Sequence, residues 1–237
     1  MTRNRNSFQT VGDADTIVFV FGGDRNLWLE QAPFGTGTPN RVQVDANVSA
    51  FQALSATEVL VLGTDGNLWL EVWPFGKVPP SRQRVDATVT AFQALSDAIV
   101  LVLGNDGNLW LEYSPFGTVP PQRQLVAGSV KDFEALDAAT VLVLNTANEL
   151  WLEQAPFGAP TPIHQQIDVN VVSFQALSSS EFLVLYNDGS LRVAHPLTAL
   201  GHYLPALYFA YNTGAAQPET ASIDFSTVLK TSATRSA

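Results

Sequence analysis

The chain has 237 residues, of which 46% are hydrophobic, 22 are acidic, 12 are basic and none is cysteine. The apolar content excludes a disordered chain, and the formal net charge of −10 argues against a nucleic-acid partner or adsorption to an anionic membrane. Because cysteine is absent, disulfides, thiolate catalysis and cysteine metal sites are excluded.

The first apolar run, residues 16–21, is predicted to be a strand. It is too short for a signal peptide, it ends in Gly-Gly-Asp, and no small-residue cleavage site comes after it. No apolar run approaches the length of a membrane-spanning helix, so membrane insertion is not expected. We therefore expect a cytoplasmic protein or one that is exported unconventionally.

Several sequence signals recur along the chain at a constant step of 41 residues. Leu-Trp-Leu-Glu occurs at 27–30, 68–71, 109–112 and 150–153. Pro-Phe-Gly follows at 33–35, 74–76, 115–117 and 156–158. A tetrad Phe-(Gln/Glu)-Ala-Leu begins at Phe51, Phe92, Phe133 and Phe174. With a displaced first tetrad at 8–11 and a last unit in which Arg192 replaces the tryptophan, the chain contains five units.

Each unit is predicted to contain four short antiparallel strands. In the unit from Val48 to Asp86, these strands are 49–54, 58–62, 67–71 and 82–86. Asp-Gly between the second and third strands supplies the positive φ that a tight hairpin turn requires. The second strand is apolar at consecutive positions, which is typical of a strand covered on both faces.

Five such units predict an all-β fold, a five-bladed β-propeller of 41-residue four-stranded antiparallel blades, because each propeller blade lies between two neighbours. The propeller is predicted to span residues 6–211, with the fourth strand of the last blade at 205–209. Residues 212–237 are predicted to form a C-terminal tail, in which 223–229 could add one extra strand that seals the ring or contacts a partner.

Tryptophan and glutamate of the third strand share one strand face, because alternate strand residues point the same way. The set comprises Trp28 with Glu30, Trp69 with Glu71, Trp110 with Glu112, and Trp151 with Glu153. One interpretation makes each tryptophan a core residue between blades. The other places each indole in an open crevice, where it stacks on a sugar ring while the acid accepts hydroxyl hydrogen bonds.

The fourth strands begin with a cation that folds back towards this glutamate. The residues concerned are Arg41, Arg82 and Arg123, with His164 at the same step. They form either a partly exposed ion pair or the polar rim of a binding crevice. Trp73 and Tyr113 do not recur in the other units and are further candidates for ligand or partner contacts.

No motif for catalysis or for a cofactor stands out, so we expect a protein that is not an enzyme and that has no metal site. His195 and His202 lie close in sequence, but no clear third ligand accompanies them. The Asp-Gly turns have too few acids for a calcium loop, and turn chemistry accounts for their residues.

The segment Gly63-Thr-Asp-Gly-Asn-Leu-Trp69, repeated as Gly104-Asn-Asp-Gly-Asn-Leu-Trp110, resembles the blades of tectonin-type and related bacterial and fungal propeller lectins. Five blades in a chain of this size also resemble the tachylectin-2 type of lectin, although the blade sequence differs and the unit is shorter. The resemblance covers residues 6–211 and implies multivalent glycan binding without catalysis, since several weak sites on one body gain avidity.

Two functions therefore remain open. The first is a lectin with similar sites between blades, in which the tryptophans, glutamates and arginines named above contact glycans or glycoconjugates. Arg192 and Ala194 replace tryptophan and glutamate in the last unit, so a fifth site should be weak or absent. The alternative is a structural or protein-interaction propeller that binds no sugar and could form a homo-oligomer.

Overall fold

The structure is a computed structural model that describes residues 8–11, 17–34, 40–76, 81–118, 122–158 and 163–196. Within these ranges the chain forms antiparallel strands arranged in five sheets. The expectations for residues 205–209, for 223–229 and for the tail from residue 212 lie outside the described residues.

Consecutive strands pair in chain order, and each sheet corresponds to one sequence unit. Blade 1 contains β1 (Phe8–Val11), β2 (Ile17–Phe21), β3 (Leu27–Gln31) and β4 (Asn40–Asp45). Blade 2 contains β5 (Val48–Ala53), β6 (Glu58–Gly63), β7 (Leu68–Val72) and β8 (Arg82–Asp86). Blade 3 contains β9 (Val89–Ala94), β10 (Ile99–Gly104), β11 (Leu109–Tyr113) and β12 (Arg123–Ala127).

The last two sheets continue the same order. Blade 4 contains β13 (Val130–Asp137), β14 (Thr140–Asn145), β15 (Leu150–Gln154) and β16 (Ile163–Asp168). Blade 5 contains, within the described part of the chain, β17 (Val171–Ala176), β18 (Phe182–Tyr186) and β19 (Leu191–Ala194). The predicted all-β, five-bladed β-propeller is therefore confirmed, and the strand positions predicted for the second unit agree with β5 to β8 to within one residue.

Each blade has apolar residues on both of its faces, and the strand register shows which residues share a face. In blade 2, Leu60 lies opposite Leu70 on one face, while Val59 lies opposite Glu71 on the other. We call the first the forward face, because it packs on the next blade, and the second the backward face. Four hydrophobic clusters join the forward face of one blade to the backward face of the following blade, at the joints 1–2, 2–3, 3–4 and 4–5.

Burial on both faces explains the consecutive apolar residues of the second strands. In β6, β10 and β14 the four central residues are all buried. Removing apolar surface from water contributes ~25 cal/mol per Å², so burial of these side chains between blades stabilises the fold. Alternating polar residues at these positions would leave one joint unformed.

Hydrogen bonds also connect neighbouring blades at both ends of the first strand. The chain turns between blades 1 and 2 at Asn47, whose φ is 57°. The N–H of Val48 then donates to the carbonyl of Arg25 in the preceding hairpin (2.9 Å). The same connection recurs at the next three joints. It fixes how each blade is placed on the one before it.

The Phe-Gln-Ala segment of the first strand supplies the second connection. The side-chain carbonyl of Gln52 accepts a hydrogen bond from the N–H of Ala94 (2.9 Å), and its amide group donates to the carbonyl of Ala94 (3.2 Å). Gln9, Gln93 and Glu134 bond the corresponding alanine of the following blade. The repeated Gln or Glu of this tetrad is therefore a connector between blades.

Candidate functional site

The third strand places tryptophan and glutamate on the backward face of each blade, as strand alternation predicts. In blade 2, Trp69 lies opposite Val61, and Glu71 lies between Val59 and Arg82. These side chains therefore line a crevice against the preceding blade. We number the crevices by the joint that holds them, so that the first crevice lies between blades 1 and 2.

An arginine of the fourth strand covers one face of the indole. The Arg82 guanidinium carbon lies 4.1 Å from the ring centroid of Trp69, and that of Arg123 lies 4.2 Å from Trp110. Arg41 covers Trp28 at 4.2 Å in the same way. Each indole is half-buried, and its covered face is engaged in a cation–π contact.

The same guanidinium joins two carboxylates from different blades. In the first crevice, Nη1 of Arg82 lies 3.4 Å from Oε1 of Glu71 and 3.5 Å from Oδ2 of Asp45, which belongs to blade 1. In the second crevice, Arg123 lies 3.4 Å from both Glu112 and Asp86. The arginine thus bridges the outer parts of two neighbouring blades.

The preceding-blade aspartates were missed by the sequence interpretation, although a signal for them exists. Asp45, Asp86 and Asp168 share the 41-residue step, and Ala127 interrupts the series. Asp45 and Asp86 pair with the arginine of the following unit, and Asp168 pairs with Tyr186. These pairings depend on how blades pack, which the repeat period does not give. The predicted partner, the glutamate of the same blade, is present as expected.

Burial changes the ionisation of the glutamates. Glu71 and Glu112 are each only 2% exposed. Removal from water, with a smaller contribution from the charge of Asp45, raises the pKa of Glu71 to about 7, while Arg82 acts in the opposite direction. The pKa of Glu112 rises to about 7 for the same reasons, with Asp86 and Arg123 in the corresponding places. Both groups therefore titrate near neutrality.

The third crevice differs from the first two. His164 replaces arginine, and its ring centroid lies 5.0 Å from that of Trp151, while its Nδ1 lies 3.8 Å from Oε1 of Glu153. Ala127 stands where the other crevices have an aspartate. Burial raises the pKa of Glu153, and nearby His164 opposes that shift.

These two replacements leave space beside the indole. A cavity of about 290 Å³ lies here, lined by Trp151, Glu153, His164, Glu149 and Asn145 together with Ala127 and its neighbours. Trp151 donates its Nε1 hydrogen to Glu149 (3.2 Å), and Glu149 also accepts from the amide of Asn145 (2.8 Å). The third crevice thus combines an aromatic surface with acids, an amide and an imidazole.

The fourth crevice has no tryptophan–glutamate pair, because Arg192 and Ala194 occupy those positions. The Arg192 guanidinium carbon lies 4.6 Å from the ring centroid of Tyr186, whose hydroxyl is hydrogen-bonded to Asp168 of blade 4. Burial and this hydrogen bond raise the pKa of Tyr186. Trp28, Glu30 and Arg41 lie on the backward face of blade 1, and no hydrophobic cluster of the described residues joins that face to another blade.

The two aromatic residues that do not recur lie outside the crevices. Trp73 is 45% exposed and meets Phe75 edge to face, with ring centroids 5.6 Å apart. The Tyr113 hydroxyl donates to Oε1 of Gln124 (3.0 Å). Trp73 therefore remains available for contact, whereas the Tyr113 hydroxyl already has a partner.

The aspartates of the Asp-Gly hairpins accept hydrogen bonds from residues of the same turn. Asp65 accepts hydrogen bonds from the backbone N–H and the side-chain amide of Asn67 (3.0 and 2.6 Å), and these bonds lower its pKa. No group of three or more metal-ligating side chains occurs among the described residues. Nδ1 of His195 lies 3.0 Å from the carbonyl of Ser180, while His202 lies outside the described ranges.

The described part of the chain contains no helix that is long and apolar enough to cross a membrane.

Comparison by sequence finds no matching protein family, and no curated protein matches the chain. The fold itself is widely shared among solved structures. The geometry of the described blades, together with the similarity to solved propeller structures, defines the chain as a β-propeller.

Three solved structures illustrate the similarity. The N-terminal domain of Nup159 is 11% identical, with a TM-score of 0.58, 81% of this chain covered and 59% of that one. A chain of the S. cerevisiae complex of Dbp5 bound to Nup159 and Gle1 is 11% identical, with a TM-score of 0.57 and coverages of 83% and 62%. The C-terminal WD40 domain of Sif2 is 12% identical, with a TM-score of 0.55 and coverages of 78% and 53%. The chain thus spans less than two thirds of the length of each.

Proposed function

We propose that the chain is a non-catalytic β-propeller that binds protein partners through the forward face of blade 5. The observation that carries the proposal is the uneven distribution of exposed apolar side chains. Leu191 is 45% exposed, Val193 39% and Leu177 51%. Leu183 and Leu185 are half-buried beside them. An exposed apolar patch of this kind on a folded domain typically marks an interaction surface.

The first two tryptophan crevices support this proposal, because an arginine already covers one face of each indole. A sugar that stacked on Trp69 from the covered side would have to displace Arg82, which is also paired with two carboxylates. A cation–π contact of this kind is worth roughly 0.5–2 kcal/mol, and the two ion pairs add to the cost. In the first two crevices, the repeated geometry of aromatic and charged groups therefore serves to hold blades together.

The similarity to propellers in protein complexes is a weaker support. One matching structure contains Dbp5 bound to Nup159, and that contact belongs to those proteins. We take from it only that a propeller of this shape is a suitable support for a protein-binding surface. The position of the proposed binding surface and its apolar character are inferred from the exposed residues of blade 5 alone.

Carbohydrate binding is a second candidate function, and one observation favours it. The third crevice has an open cavity beside Trp151, with Glu153, Glu149 and Asn145 as polar partners. An aromatic surface with several hydrogen-bonding groups suits a sugar ring. On this geometry a lectin activity would depend on one crevice rather than on four or five similar ones.

The two functions are separated by one pair of experiments. Selection from a random-peptide display library is expected to yield peptides that bind the parent and bind at least tenfold more weakly to Leu191→Glu. Ile163→Glu is the matched control, because Ile163 is exposed to a similar extent but begins β16 of blade 4. The same proteins are applied to a glycan array, together with Trp151→Ala. Glycan binding that disappears in Trp151→Ala, with no peptide selected, would refute the protein-binding proposal.

A further inference from the structure

The forward face of blade 5 has the residue types of a face that is normally covered. In blade 4 the forward face consists of Leu142, Leu144, Leu150 and Leu152, all buried against blade 5. One repeat later stand Leu183, Leu185, Leu191 and Val193. These four residues are half-buried or exposed. The sequence therefore keeps a joint-forming face at a place where no described blade is next.

The backward face of blade 1 also has the residue types of a face that is normally covered, and it too is partly exposed. In blade 2 the backward face includes Phe51, Val59 and Val61, which are at most 1% exposed against blade 1. The corresponding residues of blade 1 are Phe8, Val18 and Val20, and their side-chain register is the same. Phe8 is 63% exposed, and both valines are half-buried.

The groups that form the connecting hydrogen bonds are exposed on the same two faces, the forward face of blade 5 and the backward face of blade 1. Each of the four joints has a Gln or Glu side chain that bonds the alanine backbone of the next blade. Gln175 occupies this position in blade 5 and is exposed. Thr10 of blade 1 corresponds to the receiving alanine and is also exposed. The two open faces therefore match in polar groups as well as in apolar ones.

Resting on the proposed function, we propose that the partner of the blade 5 face is blade 1 of a second copy of this chain. The occupant follows from the chain's own packing, because four joints of this type already show that a leucine-rich forward face is covered by a Phe/Val backward face. Within one chain, no hydrophobic cluster of the described residues joins blade 5 to blade 1.

The assembly is head-to-tail, since two different faces meet. Such a contact either closes into a ring or continues into a longer array. Two copies closed by two joints are the smallest ring. In each joint, Leu191 and its neighbours cover Phe8, Val18 and Val20, and Gln175 bonds the backbone of Thr10 of the other copy.

Sedimentation of the purified full chain tests this proposal. The parent is expected to sediment at twice the monomer mass or more. Leu191→Glu and Phe8→Glu each place a charge on one of the two faces and are expected to sediment as smaller species. Both sites are exposed within one chain, so each variant should fold, which circular dichroism checks. Ile163→Glu is the control and is expected to keep the assembly of the parent.

Mixing the two variants gives the most specific result. Leu191→Glu retains an intact blade 1 face, and Phe8→Glu retains an intact blade 5 face, so an equimolar mixture is expected to form a one-to-one complex with a single joint. A parent that is monomeric at every concentration overturns the proposal, and so do variants that assemble like the parent or fail to pair when mixed. If the parent is monomeric while selected peptides still lose affinity for Leu191→Glu, only the choice of partner fails. If no peptide binds either, the proposed function fails with it.

Discussion

Replacing Glu71 by glutamine should remove a pH-dependent loss of stability. The carboxyl is 2% exposed, and its pKa rises from 4.5 in the unfolded chain to about 7 in the folded one. Between these values the folded state binds more protons than the unfolded state. The free energy of unfolding therefore falls as the pH rises from 4.5 to 7 and levels off above 7.

The size of the effect follows from the pKa difference. A shift of one unit corresponds to about 1.4 kcal/mol, so the difference between 4.5 and about 7 gives roughly 3 kcal/mol as an upper figure. Glutamine keeps the shape of the protonated group and carries no charge at any pH. Relative to the parent, Glu71→Gln should thus gain stability between pH 5 and pH 7 and keep that gain at pH 8, while Arg82 keeps its contact with Asp45.

Urea unfolding at pH 5, 6, 7 and 8 measures this difference directly. Glu30→Gln is the matched control, because Glu30 has the same place on the backward face of blade 1, where no described blade buries it. The difference between Glu71→Gln and the parent should grow as the pH rises to 7, and it should exceed the difference between Glu30→Gln and the parent. A variant that is less stable than the parent at pH 8, or a difference independent of pH, would refute the assignment of a buried, costly carboxylate.

Two further substitutions test the blade connections by thermal or urea unfolding. Gln52→Ala removes both hydrogen bonds to the backbone of Ala94 and should cost about 1–2 kcal/mol, whereas the exposed Gln154→Ala should change the free energy of unfolding by less than about 0.5 kcal/mol. Gly66→Ala places a side chain at φ +79° and should cost roughly 1–2 kcal/mol, while Gly23→Ala, with open space around its Cβ position, should cost less; equal losses in either pair would contradict the assigned roles.

The sequence was sufficient to predict the blades, because their determinants are local. The step of 41 residues sets the phase, and apolar β-branched runs such as Val59–Leu62 specify a strand buried on both faces. Asp-Gly at the hairpins predicts the turn, and Gly66 indeed has positive φ. Placement of Trp69 and Glu71 on one face follows from strand alternation alone.

The environment of the same residues could not be predicted in this way, because it depends on a neighbouring blade. Nothing near Arg82 in the sequence indicates that it pairs with Asp45, 37 residues earlier, or that it lies over Trp69 rather than in solvent. The exposure of Leu191 likewise depends on whether another blade packs on blade 5, since Leu191 has the same position in its repeat unit as the buried Leu150. The glycan-binding roles of the tryptophans, glutamates and arginines stay predictions.

A binding titration compares the blade 5 face with the tryptophan crevices most directly. A fluorescently labelled peptide from the display selection is titrated with the parent, Leu191→Glu and Trp151→Ala, and its anisotropy is recorded. We expect at least tenfold weaker binding by Leu191→Glu and unchanged binding by Trp151→Ala. A selection that returns no binder for a monomeric parent, or a peptide whose affinity falls with Trp151→Ala and not with Leu191→Glu, would contradict this expectation.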